Sequence, residues 1–181
     1  MQDNSPRERH LELWLGATRE SIILFIKICN QLVPKLIHDL EVVGGIKILQ
    51  GIAQRAQEML HPFVEKYGAD SKYGKAISES LSKTIFPWHE QEKLSAYGTL
   101  ATLQGLLLYL ANTRGHLTAL LPVCEALWDK DFVEACAKAT KDIARCQAWV
   151  RHQLTVRAPQ TLVVPLKVAR EEEGKERNPY K

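Results

Sequence analysis

Leu11, Leu15, Thr18, Ile22, Phe25, Cys29 and Leu32 follow one another at alternating steps of four and three, the spacing that gathers side chains on one seam of a helix. Val133, Cys136, Thr140, Ile143, Val150 and Leu154 keep the same rhythm near the other end of the chain, with Gln147 filling the slot between Ile143 and Val150. Two such seams predict long antiparallel helices that share a core. The fold class that follows is all-α, a mainly antiparallel helical bundle of about five to six helices.

Between these seams the punctuation sets the expected elements. Ser5-Pro6-Arg7-Glu8 reads as a helix start, because Ser5 can accept from an exposed amide and Pro6 lacks only a donor that would go unused there. Pro34 and the Gly44-Gly45 pair predict a short helix or kinked connection before Leu49, Ala53, Ala56, Leu60, Phe63 and Tyr67 restore the rhythm, with a bend at Pro62. Ser71 can cap a shorter helix that turns Tyr73, Ile77, Leu81 and Ile85 inward. The stretch 93–112 carries Leu100, Leu103, Leu107 and Leu110 on one seam and Leu106 and Leu108 off it, which suits a central helix buried on more than one side. Gly115 is expected to break it, leaving a short helix with Leu117, Leu120, Leu121, Cys124 and Trp128. Asp129 or Asp131 can cap a last helix that stops before Pro159. The bundle domain is therefore expected over 1–159. Over 160–181 the branched residues around Pro165 predict an extended C-terminal arm, followed by a charged, disordered tail.

Composition narrows this only a little. A chain of 181 residues that is 45% hydrophobic fits one domain with a sizeable core. The net charge of +3 is spread along the chain, so nucleic acid is not indicated as a partner. Cys29, Cys124, Cys136 and Cys146 show no metal-type or redox-motif spacing, which points to reduced thiols and a cytoplasmic location. No apolar run reaches the ~18 residues of a membrane span, and the first residues lack the apolar core of a signal peptide.

Four clusters carry candidate chemistry. Glu58-Met59-Leu60-His61 is the one Glu-x-x-His match, and a ferritin-like metal-dependent oxidoreductase would place Glu58 and His61 inward as ligands, alongside a second such pair and glutamates from two other helices. The spacing of Arg145 and His152, like that of Arg55 and His61, resembles the Arg-then-His signature of the HEPN family of small helical ribonucleases, although Cys146 follows Arg145 where a polar residue is usual. That resemblance covers two residues. It implies that Arg145 would stabilise phosphate charge and His152 would move the proton of the 2′-hydroxyl, without a metal. The same residues, with Lys138, Lys141 and Arg151, also read as a solvated basic face.

Ser95, Gly98, Thr102 and Gly105 form a stripe of small residues that Tyr109 and Asn112 continue, and it reads either as a close helix contact or as a groove for a flat ligand, with Tyr97, Tyr109, Trp88 or Trp149 as walls. Trp88-His89-Glu90 joins an aromatic, an imidazole and a carboxylate on a connection, where Glu90 and Glu92 equally suit a helix start. No nucleophile elbow or glycine-rich phosphate loop occurs. Groups suited to chemistry do not cluster, whereas apolar positions beside the first seam (Leu13, Ala17, Leu24 and Ile28) offer a second contact within the fold or between subunits. The sequence thus reads as a non-enzymatic binding or adaptor protein. Its partner would be another protein, a second copy as in a homodimer, or a small hydrophobic ligand. The oxidoreductase and the ribonuclease are the enzymatic alternatives, and no cofactor is indicated.

Overall fold

The computed structural model describes residues 6–36, 39–85 and 95–163, and among these it is an all-α bundle. The elements are α1 (Pro6–Leu32), a short 3-10 helix (Val33–Leu36), α2 (Leu40–Tyr67), α3 (Ser71–Ile85), α4 (Ala96–Ala126) and α5 (Lys130–Leu162). None of these helices is long and apolar enough to cross a membrane.

The helices α1, α2, α5 and α4 form a ring in which each neighbour runs antiparallel to the next. Asn30 meets Gln50 while Ile22 and His61 line a common groove, which sets α1 against α2. Gln153 pairs with Glu41 and Asp129 with Lys66, which sets α5 against α2. Trp14 meets His116 and Ser21 meets Tyr109, which sets α1 against α4. The first seam is buried from Leu15 to Leu32, with Leu11 packed at its edge, because the ring surrounds that face of α1. Ala17 and Ile28, beside the seam, are buried within the same chain.

Three breakers do not act as expected. Gly44 and Gly45 lie inside α2, whose N-cap is Asp39 accepting from Val42 N at 3.1 Å. Gly45 is needed there, since a Cβ would run into the indole of Trp149 on α5, with Cε2 at 2.6 Å. Gly115 sits in the middle of a continuous α4, in open space, where Thr113, Leu117 and Leu120 are buried on the inner face and hold the helix together. A glycine there costs about 1 kcal/mol, which the burial of one leucine already exceeds. The helix α5 passes through Pro159 to Leu162, with Val163 N bonded to Pro159 O at 3.1 Å. Just before that proline, Arg157 clamps Asp39 with both terminal guanidinium nitrogens and reaches Glu41 at 3.3 Å, so tertiary contacts hold the turn that proline weakens. The arm and tail beyond Val163 lie outside the described residues.

A fourth difference is the face of α3. Gly74, Ser78 and Ser82 are its buried positions, Ile77 and Leu81 are half-buried, and Tyr73 is 55% exposed. The helix starts against Gly16 and Ala17 of α1, with Asp70 N bonded to Glu12 O at 3.0 Å, and this approach leaves room for small side chains only. The apolar seam expected at Tyr73 and Ile77 is therefore turned by about 100°, one residue on a helix.

Candidate functional site

An open groove of about 380 Å³ lies between α1 and α2. Its floor is apolar: Ile22 of α1 and Leu60 of α2 are buried, and Val64 is half-buried beside them. Around this floor stand Arg19 from α1 and Gln54, Gln57, Glu58 and His61 from α2. The four α2 residues fall at i, i+3, i+4 and i+7, so one helical face presents two amides, a carboxylate and an imidazole together.

Arg19 donates through Nη1 to Ser71 Oγ at 3.2 Å and lies 3.8 Å from Glu20, which fixes the guanidinium at one end of the groove. His61 stands 3.5 Å from Glu65 on the open rim. Five N–H donors make a guanidinium suited to a planar anion, and two of the amides beside it can donate or accept. Among the described residues the lining holds no serine, threonine or cysteine. The groove thus sets an apolar surface beside a guanidinium, two amides, a carboxylate and an imidazole.

The sequence-derived candidates scatter. Glu58 and His61 are on this rim and exposed, and no group of three histidine, cysteine, aspartate or glutamate side chains able to hold a metal ion occurs among the described residues. Arg145 is exposed and paired with Asp142 at 3.2 Å, and His152, also exposed, lies two turns farther along α5. Arg55 and His61 are six residues apart on α2, which puts them about 120° from each other around the helix. Trp88, with His89 and Glu90, lies outside the described residues.

The small-residue stripe is on the inside of α4. Ser95 is the N-cap, its hydroxyl accepting from Gly98 N at 3.1 Å. Gly98, Thr102, Gly105 and Tyr109 are all buried. Tyr109 donates to Ser21 O at 3.1 Å and stacks on Phe25 with ring centroids 6.3 Å apart, so at this level the stripe is a contact with α1. Burial pushes the Tyr109 hydroxyl above its ordinary value. Three polar atoms on this line, Thr102 Oγ1, Asn112 Nδ2 and His116 Nδ1, are buried without a partner. Burial holds His116 below the usual imidazole range.

Arg19, Gln54 and Gln57 were not among the sequence candidates. The polar run Gln54, Gln57, Glu58 and His61 is periodic, and that period was the available signal, but it marks any solvent face until a neighbouring helix is known. No family model, no curated protein and no solved structure matches this chain.

Proposed function

We propose that this protein is a non-enzymatic binding protein whose α1–α2 groove holds a small molecule with an apolar body and an acidic head group. The observation that carries this reading is the apolar floor of Ile22, Leu60 and Val64 beside a fixed, partly exposed Arg19 guanidinium. The body would lie on the floor and the anion would take the free edge of the guanidinium, with Gln54 and Gln57 completing its hydrogen bonds. The groove volume of about 380 Å³ falls within the range of small-molecule pockets.

The test is a fluorescence titration with 1-anilinonaphthalene-8-sulfonate, an apolar body with one anionic group, followed by displacement with octanoate. Arg19→Met should weaken both by about tenfold or more, since a hydrogen bond to a charged group is worth about 1.5–3 kcal/mol. Gln57→Trp, which fills the groove, should abolish the signal. Wild-type titrations from both variants would place the dye elsewhere and refute the reading.

One observation favours contact with a protein as a second reading. Trp128 is 90% exposed at the turn after α4, with Leu127, Val123 and Trp14 also exposed toward the same end of the bundle. Sedimentation velocity across a concentration series tests for a second copy as the partner. Self-association that Trp128→Ser abolishes would support it, and a wild type that stays monomeric removes it.

A further inference from the structure

Cys124 near the end of α4 and Cys136 on α5 face each other across the turn that joins the two helices, their Sγ atoms hydrogen-bonded at 3.6 Å. Both are free and buried. We propose that Cys124 and Cys136 are a redox couple that closes to an intramolecular disulfide, stapling the last turns of α4 to α5, with a low-molecular-weight disulfide as the oxidant. A disulfide has its sulfurs about 2.05 Å apart, so the pair must approach by about 1.5 Å, a movement within reach of side-chain rotation.

The chemistry balances as two exchanges. The Cys124 thiolate attacks one sulfur of the small disulfide, its S–S bond breaks, and one small thiol leaves. The Cys136 thiolate then attacks Cys124 Sγ, and the second small thiol leaves. The protein loses two protons and two electrons, and the small disulfide is reduced to two thiols. The order follows from the pair's own hydrogen bond. The hydrogen bond between the two sulfurs lowers the Cys124 thiol, while the same contact, together with burial, raises Cys136.

All four cysteines are buried, and Cys124 is the one whose chain neighbours border an open groove near a helix end. Cys124 is next to Val123 and one turn from Leu120, which line a groove of about 350 Å³ between α1 and α4. Two residues after the helix, Trp128 adopts a left-handed backbone with φ of 56°. A left-handed conformation costs a residue with a side chain about 1–2 kcal/mol, so the turn beside the couple is a place for local opening. Cys29 and Cys146 sit deep in the ring on α1 and α5. Burial raises both, Cys146 to about 12, and neither has a hydrogen-bonded thiol partner among the described residues.

The native full chain, incubated with hydroxyethyl disulfide and mapped by peptide mass spectrometry, tests this. The expected product is one Cys124–Cys136 disulfide with Cys29 and Cys146 still alkylatable, an intact mass lower by about 2 Da, and a raised melting temperature. Cys136→Ser should instead trap the mixed disulfide on Cys124. A native protein that stays unoxidised under conditions that oxidise its urea-unfolded form would overturn the proposal. So would a wild type in which mixed disulfides accumulate on both residues without closing.

Discussion

Replacing Gly74 by alanine adds one methyl group where α3 meets α1. The new Cβ would press on Ala17 Cα and lie 2.7 Å from Ala17 N and 2.9 Å from Gly16 O. Carbon contacts are favourable at about 3.5–4.0 Å, so the helices must part by roughly 1 Å, and all three opposing atoms are backbone that no rotamer change can move. Alanine by itself favours a helix over glycine by about 1 kcal/mol, and overpacking typically costs about 1–3 kcal/mol. The net expectation for Gly74→Ala is a loss of up to about 2 kcal/mol, or up to about 8 °C in Tm for a chain of this size. Gly115→Ala is the matched control. Nothing lies within 4 Å of its Cβ, so the same chemical change should stabilise by about 0.5–1 kcal/mol. Urea unfolding measures both. A reduced m for Gly74→Ala would mean that α3 detaches first, which agrees with the same contact. A Gly74→Ala protein stabilised like Gly115→Ala would refute the close α1–α3 approach.

The turn after α4 offers a second stability test. Trp128 N bonds Glu125 O and Asp129 N bonds Cys124 O, the pattern in which glycine usually takes the left-handed position. Trp128→Gly should therefore raise the urea midpoint by an amount equivalent to about 0.5–1 kcal/mol, and a loss would show that the indole is packed. Acid should weaken the α2–α5 contact through Asp129. Its carboxylate accepts from Lys66 at 2.8 Å, from Tyr67 at 2.6 Å and from Phe132 N at 3.1 Å, which lowers it from 3.8 to about 2. A lowered value means that the fold prefers the ionised form, so this contribution is complete above about pH 4 and is lost as the pH falls toward 2. Asp129→Asn should melt below the wild type near neutral pH and converge with it on acidification, and a constant difference across that range would contradict the assignment.

The elements themselves were legible because their causes are local. Alternating steps of four and three put Leu15, Ile22, Phe25 and Cys29 on one side of any helix, and a helix with such a side must bury it. Asp129 could be read as a cap because the first amides of a helix need an acceptor wherever the helix lies. At the glycines the local cost is small beside what tertiary contact supplies. Gly44, Gly45 and Gly115 each cost a helix about 1 kcal/mol, and the burial of neighbouring side chains exceeds that, so the breaks expected there did not occur.

Which residues meet across helices was not in the pattern at all. Gly45 takes the indole of a residue more than a hundred positions away, and Gly74 sets the face of α3 by meeting Gly16 and Ala17 rather than by its own apolar spacing. The polar line Gln54, Gln57, Glu58 and His61 becomes a groove only because Arg19 and Ile22 stand opposite it. Cys124 and Cys136 become a pair only because α4 and α5 fold back on each other at Asp129. Periodicity determines which face of a helix turns inward. The neighbour that face meets, and so the site between them, depends on long-range packing that no window of sequence contains.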